Sequence, residues 1–301
     1  MILRSILAVA AAFVFPAMAA AQVTVAERLD LSQPVVVEAT LGAEGHFVEG
    51  GFPEVSLAAL EHAISIGADQ VRLPSHLTKD GHYVLMYGIA LNATTNVEDV
   101  FPEGAAARYG KVSGERSDYI EDYTLEEIRT LALTGGSDGG VHPVPTLEEA
   151  LAIIDGRVLG RIRLMAYDLD ALEVIFETYG IDGLMLSTAV DERWLEEASA
   201  ATGVKVSVSL AYARDPVAKL EAFCATYGPA LAEVSTRFLR TITPNLLAKA
   251  EELGVRVKIW QGAADNLLTA GDSAPWEAAL ASGATSFETA HPTLLLEMLG
   301  R

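Results

Sequence analysis

Nine short runs rich in β-branched and apolar residues recur along this chain, each set off from the next by a helix-like or turn segment. They are Val35 to Glu38, Gln70 to Pro74, Val84 to Tyr87, Arg161 to Ala166, Gly183 to Ser187, Val204 to Leu210, Leu231 to Ser235, Val255 to Trp260 and Thr285 to Thr289. Strand runs alternating with amphipathic helical stretches read as parallel strands joined by crossover helices, because each helix carries the chain back to the same end of the sheet. Nine exceeds the eight strands of a closed barrel, so one run is not a strand or lies outside the barrel. Leu231 to Ser235 is the least certain of the nine and the first suspect.

Start and stop signals punctuate the helices. Thr124 to Glu127 and Thr146 to Glu149 have capping-box spacing, and Pro244 falls in the first turn of TPNLLAKAEELG. Gly67, Gly180, Gly203, Gly254 and Gly283 stand where a helix should end before the next strand. The stretch from Val97 to Tyr123 lacks strong periodicity and reads as a small excursion.

Residues 1–22, MILRSILAVAAAFVFPAMAAAQ, carry one Arg, an apolar run and small-x-small cleavage options, the pattern of a secretory leader. The apolar run is too short to span a bilayer, so the mature chain from residue 23 is expected to be exported, periplasmic or secreted, without a transmembrane segment. About 280 residues then remain, enough for one α/β barrel or two small domains. No linker or composition shift marks a second domain, so residues 23–301 are expected to form one. The formal charge of −20, one unit more negative once Arg4 leaves with the leader, argues against nucleic acid and anionic membrane surfaces as partners. A single cysteine, Cys224, excludes an intramolecular disulfide and sits in a helical pattern where burial is expected.

The frame of the sequence resembles the glycerophosphodiester phosphodiesterase family. Pro53-Glu54 opens a helix that ends at Gly67-Ala68, Thr78-Lys79-Asp80-Gly81 makes a turn, and Thr94-Thr95 follows. DYTLEEIRTL (Asp122 to Leu131), VPTLEEAL (Val144 to Leu151), GVRVKIW (Gly254 to Trp260) and GATSFETAHPTLLLEML (Gly283 to Leu299) are similar to later segments of the family. The resemblance implies a TIM (β/α)8-type barrel with a small insertion after the third strand. It also implies phosphoric diester hydrolysis of glycerophosphodiesters, a lipid-metabolic activity, with Mg²⁺ or Ca²⁺ as cofactor.

The positions that carry that chemistry are replaced. Glu38 and Ala39 stand where the family has its catalytic His and phosphate-binding Arg, Arg72 and Pro74 where it has a metal-binding Glu and Asp, and Met86 and Tyr87 where it has a second His and an Asp. Met165 and Tyr167 align with its Glu-x-Lys on the fourth strand and Ala290 with its last Asp, leaving Glu54 alone of the expected metal ligands. One carboxylate cannot hold an ion that wants about six oxygens. Arg72 would repel a divalent ion and is read as a cation in its place, pairing with Glu54 or Glu38. No cofactor and no metal site are therefore expected, and the six histidines show no zinc spacing.

Three functions follow. The leading one is a non-catalytic barrel that binds an unknown small molecule or a periplasmic protein, with Glu38, Glu54, Arg72, Tyr87, Tyr167 and Trp260 as ligand-binding candidates because strand ends and barrel mouths hold such sites. The second is an active phosphodiesterase with a rebuilt site. The third is another hydrolase using two carboxylates among Glu38, Glu44, Glu49 and Glu54. His46, in the loop after the first strand, is a further candidate for the barrel mouth.

Overall fold

The computed structural model describes residues 22–42, 49–105, 117–260 and 262–301. The leader reading falls outside these residues except for Gln22, and His46 and Glu44 fall outside them as well. Nine strands form one sheet: β1 (Val36–Ala39), β2 (Gln70–Leu77), β3 (Tyr83–Leu85), β4 (Leu159–Leu164), β5 (Leu184–Thr188), β6 (Lys205–Ser209), β7 (Leu231–Thr236), β8 (Arg256–Trp260) and β9 (Ser286–Thr289). Every neighbour pair except β2–β3 is parallel, and β1 pairs with both β9 and β2, which closes β1, β2 and β4 to β9 into an eight-stranded barrel. The expected TIM-type barrel is thus present.

The strand left outside is β3, and the suspect run is a full barrel strand. β7 pairs on one side with β6 and on the other with β8, Glu233 facing Ser207 and Arg256. Its pattern is weak in sequence because Glu233 and Ser235 dilute the apolar run. β3 is antiparallel to β2, with Leu77 opposite Tyr83. Only Thr78 to His82 separate the two, far too few residues for a crossover helix. The turn is closed by Thr78 Oγ1 donating to Asp80 (2.7 Å) and His82 N donating to Thr78 Oγ1 (3.0 Å), with Gly81 at φ +83° where a side chain would be strained.

The helix starts legible in sequence form as written. Thr124 and Thr146 each complete a capping box with Glu127 and Glu149, and Pro244 is the first residue of the helix Pro244–Glu252. Gly203 ends the helix Glu192–Thr202 in the left-handed region, φ 77°. Helices pack their apolar faces on the outside of the barrel, in a core that includes Leu73, Ile162, Leu186, Val208 and Val257. Cys224 packs against that core, half-buried. The stretch between β3 and β4 builds a separate small core from Val84, Met86, Leu91, Val97, Ile120, Tyr123 and Leu131, so the insertion has its own hydrophobic support. Among the described residues no helix is long and apolar enough to cross a membrane.

Candidate functional site

Side chains two apart on a strand share a face, and the faces turned into the barrel are charged. One layer of the interior is made by Glu38 (β1), Arg72 (β2), Arg161 (β4), Glu233 (β7), Lys258 (β8) and Glu288 (β9), all buried. Lys258, fully buried, bridges Glu38 and Glu233, with its Nζ 2.6 Å from an oxygen of each. Arg161 reaches Glu38 (2.6 Å), Glu288 (2.7 Å) and the hydroxyl of Ser187 (3.0 Å). Arg72 pairs with the other oxygen of Glu288, and Ser207 donates to Glu233 (2.8 Å). Three cations offset three carboxylates, which is what permits burial: an isolated charge here would cost on the order of several kcal/mol.

Burial alone would push the Glu288 carboxyl up, but Arg72, Arg161 and Lys258 outweigh it and bring it down to about 2. Tyr87 lies beside Arg72, its phenol oxygen accepting from Nε (3.3 Å) and its ring 4.7 Å from the guanidinium carbon. Burial pushes that phenol up to about 12 in spite of the arginine, with Glu54 among the groups that raise it.

Above this layer the barrel opens into a cavity of about 610 Å³ at the C-terminal ends of the strands, within the range of small-molecule sites. Arg72, Arg161 and Glu288 form its floor, Arg163, Met165, Tyr87 and Trp260 part of its wall, and Arg237 and His291 its rim. Arg163, half-buried, makes no hydrogen bond or ion pair with any described residue. Burial and the like charges of Arg72 and Arg161 hold its guanidinium below its usual range. Asp265 also borders the cavity but is spent on Trp276 Nε1 (3.0 Å), Thr289 Oγ1 (2.6 Å) and Ala290 N (2.8 Å). Burial raises its carboxyl against those bonds.

The six candidate residues separate. Arg72, Tyr87 and Trp260 line the cavity; Glu38 lies beneath it, and Glu54 is buried behind Tyr87 without lining it. Tyr167 stands apart, stacked on Trp194 with ring centroids 5.6 Å apart and planes 10° from parallel. β4 runs two residues earlier than expected, so Tyr167 lies beyond its end and Arg161 and Arg163 take the interior positions. The expected partner of Glu38 is also corrected: Arg161 and Lys258 hold it, and Arg72 turns to Glu288 instead. Met86 faces the insertion core, away from the cavity. Sequence reasoning missed Arg161, Arg163, Glu233, Lys258 and Glu288. Their signal was a charge at alternate positions inside β-branched runs, as in Arg161-Ile162-Arg163 and Val257-Lys258-Ile259.

The divalent ion implied by the family resemblance does not fit this donor set. Among the described residues no three His, Cys, Asp or Glu side chains converge as a metal site. Glu38 and Glu288 are already bonded to interior cations, and a divalent ion there would meet Arg72, Arg161 and Lys258 at close range.

The sequence model of the glycerophosphoryl diester phosphodiesterase family matches residues 48–163. Two similar curated proteins are the glycerophosphodiester phosphodiesterases of Bacillus altitudinis, 30% identical over 111 residues (36% of this chain and 38% of that one), and of Caldanaerobacter subterraneus subsp. tengcongensis, 32% identical over 104 residues (34% and 35%). The matched stretch thus spans little more than a third of those relatives' length. Among solved structures, a glycerophosphoryl diester phosphodiesterase from Parabacteroides distasonis superposes with a TM-score of 0.67 at 17% identity, covering 93% of this chain and 92% of its own. An Oleispira antarctica phosphodiesterase in complex with the product sn-glycerol-3-phosphate gives 0.65 at 16% identity, covering 88% and 97%. At those identities the likeness is one of fold.

Proposed function

We propose that this chain is a member of the glycerophosphoryl diester phosphodiesterase family, whose barrel it shares, and that it uses the barrel mouth to bind a small molecule without hydrolysing it. One observation carries this reading. Glu288, the strand carboxylate on the cavity floor, is held by Arg72 and Arg161, and Glu38 below it is clamped by Arg161 and Lys258. Carboxylates fixed as salt-bridge partners, one of them brought down to about 2, are poor general acids or bases near neutral pH. Met86, at a position where the family has a catalytic His, cannot carry a proton and is buried in another core. The same clamp on Glu38 argues against a paired-carboxylate hydrolase built on it. The leader-like first 22 residues go with a role outside the cytoplasm, periplasmic or secreted.

Incubation of the full chain with glycerophosphocholine and with bis(p-nitrophenyl) phosphate, each with Mg²⁺, Ca²⁺ or a chelator, should release no product above a no-protein control. Metal-dependent turnover lost in Glu54→Gln would overturn the reading.

A second reading has its own support. His291 lines the cavity rim with its Nδ1 3.8 Å from a Glu49 oxygen, the outline of a base and the group that orients it. It favours a rebuilt phosphodiesterase. Turnover abolished by His291→Gln would establish it.

A further inference from the structure

One sector of the barrel rim reverses the charge of the rest of the molecule. Acidic residues outnumber basic ones 41 to 21, and the rim follows that excess after β4 and β5, where the chain places Asp168, Asp170, Asp191 and Glu192. The loops after the next two strands do not. Residues 210–214 and 237–243 carry Arg214, Arg237 and Arg240 and no Asp or Glu. The acid that follows, Asp215, is occupied in capping the helix Pro216–Tyr227, accepting from Val217 N and Ala218 N (both 3.1 Å). β6, β7 and β8 are neighbours in the barrel, so these two loops and Trp260 at the end of β8 form one continuous arc.

All three arginines are exposed, and none makes a hydrogen bond or ion pair with a described residue. Two of them rest on aromatic rings instead. The guanidinium carbon of Arg240 lies 4.2 Å from the Phe238 ring centroid, and that of Arg237 lies 5.3 Å from Trp260 and 5.8 Å from Tyr212. Tyr212 meets Phe238 edge to face at 5.5 Å. Tyr212 is also the residue that its own backbone accommodates worst. Ala213 N donates to Leu210 O (3.0 Å), and Tyr212, at φ +69°, takes the third place of that turn, where glycine is the ordinary residue. Its ring is 74% exposed, so little burial offsets the strain. A strained residue that holds an exposed ring among unpaired guanidinium groups points to a contact outside the chain.

Tyr, Trp and Arg are the side chains that most often anchor protein interfaces. A guanidinium stacked on a ring keeps its in-plane N–H groups free for a carboxylate. Charge then selects among partners. A planar anionic bilayer would press on the whole rim, the acids after β4 and β5 included, and would meet a formal charge of −20. A narrow polypeptide segment meets the arc alone. We propose that Tyr212, Arg214, Arg237, Phe238, Arg240 and Trp260 dock an acidic segment of a partner protein, its carboxylates on the guanidinium groups and its apolar side chains against the rings. Arg237 and Trp260 also border the cavity, whereas Arg214, Arg240 and Tyr212 do not, and substitutions at these three separate the docking surface from whatever the cavity binds.

The test is fluorescence anisotropy of a fluorescein-labelled peptide of Glu, Leu and Trp titrated with the full chain, beside the same peptide with Gln for Glu. The acidic peptide should bind, more weakly as NaCl rises from 0.05 to 0.5 M, and the neutral one about tenfold more weakly or not at all. Arg240→Glu and Arg214→Glu should each weaken binding about tenfold. Arg157→Glu makes the same change of net charge at an exposed pair with Glu61 before β4 and should leave binding nearly unchanged. Tyr212→Gly should weaken binding about fivefold yet melt no lower than the wild type, because glycine relieves the turn. A ring that served only to pack on Phe238 would give the reverse, a lower melting temperature with unchanged binding, and that result would remove Tyr212 from the surface. Absence of acidic-peptide binding, equal binding of the neutral peptide, or an equal loss in Arg157→Glu overturns the proposal. Two other occupants are checked on the same samples: Arg240-dependent binding to phosphatidylglycerol vesicles, or a sedimenting dimer lost in Arg240→Glu, either one without peptide binding, would assign the arc to a lipid surface or to a second copy and overturn the partner proposed.

Discussion

Near the N-terminal ends of the strands the barrel is plugged by oil; two residues farther along the same strands it is filled with charge. Val36, Leu159 and Met185 point inward at the lower level and are covered by Val25 and Leu29 from the segment before β1. The next inward positions on those strands are Glu38, Arg161 and Ser187. A large cation at the lower level is handled differently from those above it. Arg256, 1% exposed, is bound to backbone carbonyls of Leu29 (2.8 Å), Gln33 (3.1 Å) and Thr285 (2.8 Å), which ties the plug to the barrel. Arg256 therefore acts as a clasp. The difference teaches where stability and where function reside: the apolar level is stable whatever surrounds it, while the charged level is stable only as a complete set.

Completeness is the property to break first. Lys258→Met leaves Glu38 and Glu233 buried without their shared cation and should cost about 3–5 kcal/mol, the scale of a broken buried pair, read from urea denaturation. A loss below about 1 kcal/mol would mean the layer is hydrated and its charges independently solvated. Leu159→Ala at the apolar level should cost somewhat less, about 2–4 kcal/mol of transfer and cavity energy, with no dependence on pH between 2 and 8 because it alters no titrating group.

Acid separates the two levels further. The Glu288 carboxyl sits at about 2 in the folded chain against an ordinary 4.5. Because the folded value is the lower one, its contribution is complete above pH 4.5 and disappears as pH falls toward 2. Glu288→Gln should cost about 2 kcal/mol at pH 7, and the gap between wild type and variant should narrow steadily over that window. A gap that stays constant would show that Glu288 does not carry the charge assigned to it.

The barrel was legible in sequence because it depends on periodicity: strand runs, capping boxes at Thr124 and Thr146, and glycines at helix ends are local signals that the tertiary structure has no reason to override. The pairing inside the barrel was not legible. Which cation meets Glu38 depends on strand register and barrel closure, so Arg72, nearest in sequence, was the natural partner, and Arg161 and Lys258, brought in from β4 and β8, are the real ones. Glu233 misled in a second way. A charge inside a strand run reads as a weak strand unless the barrel interior is already known to be ionic, and so β7 was doubted while β3, apolar but only a hairpin arm, was not.

The smallest effect belongs to the charges outside. Below the apolar plug, Asp69 accepts from Val37 N (2.8 Å), from Arg28 (3.1 Å) and in two bonds of 2.8 Å from Arg301. Burial would raise its carboxyl, but the arginines and the backbone N–H hold it below the usual carboxylate range. Formally this is the same device as the interior layer, a carboxylate between guanidinium groups. Its Arg301 side chain is 32% exposed, however, where the paired side chains of the layer are 6% or less. Water and salt therefore already solvate much of what Arg301 offers, and Arg301→Gln should cost only about 0.5–1 kcal/mol, shrinking further between 0.05 and 1 M NaCl as the Debye length falls to about 3 Å. Lys258→Met should lose about the same at both salt concentrations, because mobile ions cannot reach the layer. Equal salt sensitivity of the two variants would mean that the barrel interior is open to ions, and the contrast between its levels would fail.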